Sequence, residues 1–130
     1  MTTQEFDDFV AILEERGYKK TYDYIYKRHQ YYKAFGKREN PYEENRALYQ
    51  VFFNVFDWRK CWDRDPFLRE RNKAYSFDVN VCVSRVIDEV PIECRFDDFK
   101  DIDKVEKRAE AFFKYVESMF DIPEREKIEE

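Results

Sequence analysis

Glycine is almost missing from this chain: Gly17 and Gly36 are the only two among 130 residues. Phosphate-cradling loops and dinucleotide fingerprints both need several glycines at fixed spacing, so neither can be present. Histidine is scarcer still. With His29 alone, and no cysteine or serine near it in sequence, Ser-His-Asp and Cys-His systems and the usual histidine-rich zinc sites lack their components. His29 therefore reads as a polar residue set among tyrosines in a basic segment. Cys61, Cys82 and Cys94 are odd in number and unrelated in spacing, which makes neither a disulfide framework nor a zinc pattern. No apolar run approaches a membrane-spanning length, and the opening Met-Thr-Thr-Gln-Glu-Phe-Asp-Asp lacks the basic and apolar regions of a signal peptide. These absences lead to the expectation of a cytoplasmic protein with reduced thiols, no membrane association, no cofactor and no bound metal.

Aromatic and charged residues are what the chain has in quantity. Thirteen Phe and ten Tyr supply most of a 19% aromatic content, enough for a real core in spite of 41% charged residues. The formal net charge of −5 argues against a general nucleic-acid or membrane binder and leaves room for a local basic patch. The length suits one domain with one core, placed here at residues 1–122 and followed by a charged tail at 123–130.

The fold nucleus is the stretch from Tyr75 to Phe96. Tyr75, Phe77, Val79, Val81 and Val83 alternate with Ser76, Asp78, Asn80, Cys82 and Ser84, the period-two pattern of a half-buried strand. A second run alternates Val90, Ile92, Cys94 and Phe96 with Glu89, Pro91, Glu93 and Arg95. If both apolar sets face one core, opposed residues must have numbers that sum to an odd value, as in Val83 with Cys94. A two-residue turn at Asp88-Glu89 provides that parity. Cys82 and Cys94 then fall on opposite faces and cannot join in a disulfide. Pro91 cannot donate to a ladder, which puts the second strand at a sheet edge.

The flanking segments complete the architecture. Thr2 or Thr3 with Glu5 predicts a capped helix over 3–16 that Gly17 ends, and Phe6, Phe9, Val10 and Leu13 form its stripe. A strand is expected over about Gln30–Phe35, preceded by a short irregular or helical piece. Gly36 to Asn45 reads as loop. Ala47–Trp58 is apolar on both faces, as suits a central strand covered on two sides, or one whose second face joins a partner; this pattern is consistent with a homodimer. Residues 59–73 read as a long connection with one helical turn, and long connections in compact domains are often functional. Ile102, Val105, Ala109, Phe112, Val116 and Met119 or Phe120 define a last helix that begins at Asp101 or Asp103 and stops at Pro123. The expectation is an α+β domain in the order α-β-β-β-β-α, with three to four antiparallel strands and both terminal helices packed on one face.

Three regions carry functional readings. Tyr18–Arg38 holds Lys19, Lys20, Lys27, Arg28, Lys33, Lys37 and Arg38 against Asp23 alone, about +6 within a chain of −5. Tyr22, Tyr24, Tyr26, Tyr31 and Tyr32 are interleaved with these charges. Such a segment suits a protein interface, where Tyr and Arg are enriched. It equally suits single-stranded nucleic acid, with phosphates held and bases stacked, or simply fills one sheet face. Trp58 and Trp62 sit in a loop of alternating charge, where one could anchor a partner or both could cover the sheet. Residues 97–130 hold twelve acidic against seven basic side chains, and an acidic helix can imitate a nucleic-acid backbone in the manner of inhibitors of nucleic-acid enzymes. Asp78 with Glu93-Cys94-Arg95 loosely resembles a Mg²⁺-holding nuclease pair, but Arg95 is a poor proton-transfer group where lysine is wanted.

The reading favoured by the sequence is a non-enzymatic interaction protein with a protein partner, one version being a modulator of a nucleic-acid enzyme. Its contact residues would be Tyr22, Tyr24, Tyr26, Arg28, Tyr31, Lys33, Trp58 and Trp62. A single-strand nucleic-acid binder using segment 18–38 is the alternative, and a Mg²⁺-dependent nuclease a weaker one.

Overall fold

The first helix forms where the capping box predicts it. Helix α1 (Thr3–Glu15) starts with Thr2 Oγ1 accepting from the Glu5 amide at 3.1 Å while the Glu5 carboxylate accepts from the Thr2 amide at 3.0 Å. Gly17, at φ 91°, ends it in the left-handed region that glycine enters without a Cβ penalty. The structure, a computed structural model, describes residues 1–36, 47–85, 92–97, 101–120, 122 and 125.

Five strands follow: β1 (Lys19–Asp23), β2 (Arg28–Ala34), β3 (Ala47–Asp57), β4 (Tyr75–Arg85) and β5 (Ile92–Asp97). They form one antiparallel meander in the order β1-β2-β3-β4-β5, with helix α3 (Ile102–Phe120) closing the α+β domain. A 3-10 turn at Trp58–Cys61 and a short helix α2 (Pro66–Glu70) occupy the long connection, capped by Asp57 and Asp65 respectively.

The sheet has one strand more than the sequence predicts, and that strand is β1. Its segment satisfies two periods at once: Tyr22, Tyr24 and Tyr26 alternate, while Tyr18, Tyr22, Ile25 and His29 make a helical stripe. Local pattern cannot choose between these. The ladder of Lys19–Asp23 on Arg28–Tyr32 does, because it pairs the backbone groups of this segment with those of β2. The expected loop over 37–45 and the turn at Asp88-Glu89 lie outside the described residues.

The parity argument for β4 and β5 holds, with the register one pair along. Val83 faces Ile92 and Val81 faces Cys94, an odd sum in each case. Phe77, Val79, Val81 and Val83 are accordingly buried toward the helices, together with Tyr49, Val51, Phe53 and Val55 of β3. Strand β5 is an edge of the sheet, as expected, and Pro91 itself lies outside the described residues. Phe9 of α1 meets Phe77 and Phe53 at ring distances of 4.9 and 5.9 Å, and Phe113 of α3 meets Tyr49 at 5.0 Å. Rings at these separations contribute beyond the area they bury. Cys61, Cys82 and Cys94 are free thiols.

Two polar clamps join the helices to the rest. Arg16 pairs with Asp103 at 2.6 Å, and the Tyr18 hydroxyl donates to Glu106 Oε1 at 3.1 Å. Arg125 lies over the Tyr49 and Phe113 rings and pairs with Glu110 and Glu117, so this tail residue is set against the core.

Candidate partner-binding site

The β1–β2 hairpin closes through Tyr24, Ile25, Tyr26 and Lys27. Asp23 Oδ1 accepts from the Ile25 and Tyr26 amides at 3.0 and 3.3 Å, a side-chain turn that aspartate makes readily. Lys27 completes it at φ 52°, where glycine would be the cheaper residue. The local chemistry thus explains Asp23 but not its neighbours: Tyr24, Ile25 and Tyr26 are 82%, 85% and 72% exposed.

The other predicted contact residues separate into groups. Tyr22 lies beside the tip on β1, its ring edge-on to Tyr24 at 4.9 Å and His29 at 5.1 Å. Arg28 starts β2, with its guanidinium 3.7 Å from both Asp23 and Asp78 and 5.1 Å from the Tyr26 ring centre. Tyr31 is only 4% exposed and belongs to the core. Lys33 donates to the Arg16 carbonyl at 2.7 Å and lies over the Tyr18 and Phe35 rings. Trp58 donates to Ser76 Oγ at 2.8 Å and Trp62 to the Lys73 carbonyl at 2.9 Å, so both indoles are tied to the chain around the long connection.

The fold also assembles a cleft that no local stretch announces, of about 400 Å³, on the helix-bearing side below the hairpin tip. Strand β1 supplies Lys20 and Tyr22, the turn and β2 supply Lys27, His29 and Tyr31, and the 3-10 turn supplies Arg59 and Lys60. Phe6 and Tyr75 close it from α1 and β4, and Asp57 is an acid on its wall. Arg59 holds Asp57 through two bonds of 2.9 Å, which keeps that carboxyl below its usual range. Tyr75 is stacked on Phe6 at 4.0 Å and covered by Arg59 at 4.8 Å. Burial pushes the ionisation of Tyr31 and Tyr75 upward, with Asp7 adding to both and Glu14 to Tyr31, so both hydroxyls stay protonated as donors. Of these groups, Phe6, Lys60 and Tyr75 come from far along the chain. The only local signal was the shared face: Lys20 pairs with Tyr31, and Tyr22 with His29.

The opposite sheet face is polar with aromatic islands. Tyr32 stacks on Phe52 at 6.0 Å, and Phe56 lies 4.5 Å from Trp58. Asn54 is completely buried there; it accepts from Gln30 Nε2 at 2.7 Å, and its own amide nitrogen has no partner among the described residues. Asp78 faces Asp97, whereas Glu93 faces Cys82, four residues along β4. At a rise of about 3.4 Å per residue that is roughly 13 Å, too far for both carboxylates to hold one ion. Arg95 instead pairs with Asp78 at 2.8 Å. Burial, then Glu93, pushes the Cys82 thiol up to about 11.

No family model, curated protein or solved structure matches this chain.

Proposed function

We propose that this chain is a non-enzymatic interaction protein that binds a protein partner through the tip of its β1–β2 hairpin. The observation that carries the reading is the exposure of three consecutive large side chains, Tyr24, Ile25 and Tyr26, on a turn whose geometry does not require them. Contiguous exposed apolar groups with a polar rim mark interaction sites, and tyrosine beside arginine is the composition of binding hot spots. Arg28, lying against Tyr26, supplies that neighbour.

Two further observations weigh on the alternatives. Single-strand binding stacks bases on open ring faces. Here Tyr32 is stacked on Phe52, Tyr75 is covered by Phe6 and Arg59, and Tyr18 and Tyr31 are buried, which leaves the open rings of the segment at the tip, Tyr24 and Tyr26. Imitation of a nucleic-acid backbone by α3 has less support than the hairpin. Its carboxylates Asp103, Glu106, Glu110 and Glu117 are engaged by Arg16 and Arg125.

The test is affinity capture from the native host by the wild-type chain and by a Tyr24→Ser/Ile25→Ser/Tyr26→Ser triple variant, read by mass spectrometry. A specific protein should be captured by the first and lost by the second, at unchanged melting temperature. Equal capture by both would remove the tip from the interface. Oligonucleotide binding that falls steeply with salt and is lost in the triple variant would instead establish the nucleic-acid reading.

A further inference from the structure

We infer that the cleft beneath the hairpin tip is a binding site for a compact phosphate-type oxyanion, free phosphate or diphosphate or the charged end of a small ester. Its first support is unmatched charge. Lys20, Lys27 and Lys60 reach it from a strand, a turn and the 3-10 turn, and none has an ion-pair partner among the described residues. The acid on the wall, Asp57, is bonded to Arg59 and is attracted by Lys60 only more weakly, and Arg28 has Asp23 and Asp78 nearby. Lysine is a point charge well suited to a phosphate.

The second support is a pair of tyrosine hydroxyls that are not otherwise engaged. Tyr31 lines the cleft at 4% exposure, and neither its hydroxyl nor that of Tyr75 makes a hydrogen bond among the described residues. Each hydroxyl can therefore donate to an oxyanion held in the cleft. The third is Lys27 itself, placed at φ 52° where a lysine is disfavoured, as residues at ligand sites often are.

Size and ring packing narrow the ligand. A volume of about 400 Å³ falls within the range of small-molecule sites. A single carboxylate brings one charge to three lysines that have no ion-pair partner among the described residues, whereas a phosphate group brings more charge and several acceptor oxygens into the same space. A nucleobase would look for a ring face, yet the Tyr75 ring is stacked on Phe6 and covered by Arg59. This inference stands apart from the hairpin-tip reading, since Lys20, Tyr31, Lys60 and Tyr75 are outside the exposed apolar turn.

The experiment titrates the ¹⁵N-labelled full chain with sodium pyrophosphate, inorganic phosphate and a fifteen-residue oligo-dT, followed by amide chemical shifts. Pyrophosphate should give saturable shifts centred on residues 20–31, 57–60 and 75. Lys20→Gln with Lys60→Gln should weaken it by at least about tenfold. Tyr31→Phe should weaken it several-fold, and melting temperatures of both variants should match the wild type. The site is overturned if no saturable shift appears up to about 10 mM, an affinity too weak to be specific. It is overturned equally if binding survives the double lysine variant, or if oligo-dT occupies the same residues more tightly than pyrophosphate.

Discussion

The root and the tip of the β1–β2 hairpin are made of the same residue types, tyrosine and lysine, and end in opposite environments. At the root, the Tyr18 ring meets Phe53 at 5.3 Å and its hydroxyl donates to Glu106, while Lys33 donates to the Arg16 carbonyl. At the tip, Tyr24 and Tyr26 stand in solvent and Lys27 has no ion-pair partner among the described residues. The difference lies in what lies above each end. Helices α1 and α3 meet over the root, where Arg16 joins Asp103, whereas Tyr24, Ile25 and Tyr26 at the tip are left exposed. Amphipathic side chains accept either setting, since their stems and rings bury well and their polar ends find water or a partner.

Four experiments break or sharpen that contrast. The largest effect is expected at the root: Tyr18→Ala removes a buried ring and the hydrogen bond to Glu106, and should cost about 3–5 kcal/mol in urea unfolding. If the cost fell within the surface range, the root would not be core. Lys33→Ala comes next. It leaves the Arg16 carbonyl without its donor, for an expected loss of about 1–3 kcal/mol by the same measurement.

A smaller effect follows from pH. Burial raises the ionisation of Tyr31 above the ordinary tyrosine range, so the folded state keeps that proton longer than the unfolded chain. The associated stability is complete below a pH of about 10 and is lost as pH rises past it. Cys82, raised to about 11 from an ordinary value of 9.0, adds a parallel loss that starts earlier. In a Cys82→Ala background, Tyr31→Phe should make the alkaline decline shallower by less than about 1 kcal/mol. An unchanged slope would show that the Tyr31 ring is more solvated than its position implies. The smallest effect belongs to the tip, where the Tyr24, Ile25 and Tyr26 to serine triple variant should alter stability by no more than about 0.5 kcal/mol. A larger loss would mean that the tip serves the fold rather than a partner.

Much of the scaffold was legible in the chain. Thr2 with Glu5, Gly17 and the alternation from Tyr75 to Val83 each state a local rule that tertiary contacts then obey, and the stripe of the last helix does so except that Phe113 rather than Phe112 is its core ring and Met119 and Phe120 are exposed. Segment 18–29 was not legible as a strand, because its tyrosines fit both a helical and a strand period. Trp58 and Trp62, prominent in sequence as anchors, donate to Ser76 and Lys73, partners eleven or more residues away. The cleft was the least visible part of all, for Phe6, Lys20, Lys60 and Tyr75 share no window of sequence.

By itself the sequence determined the class of fold, the faces of β4 and β5 and the ends of α1, because these depend on near-neighbour sterics, capping and the two-residue period of a strand. Only the tertiary structure decided which tyrosines are core and which are surface, and which lysines converge. That choice turns on where the helices come to rest across the sheet, a long-range outcome that residue type alone does not encode.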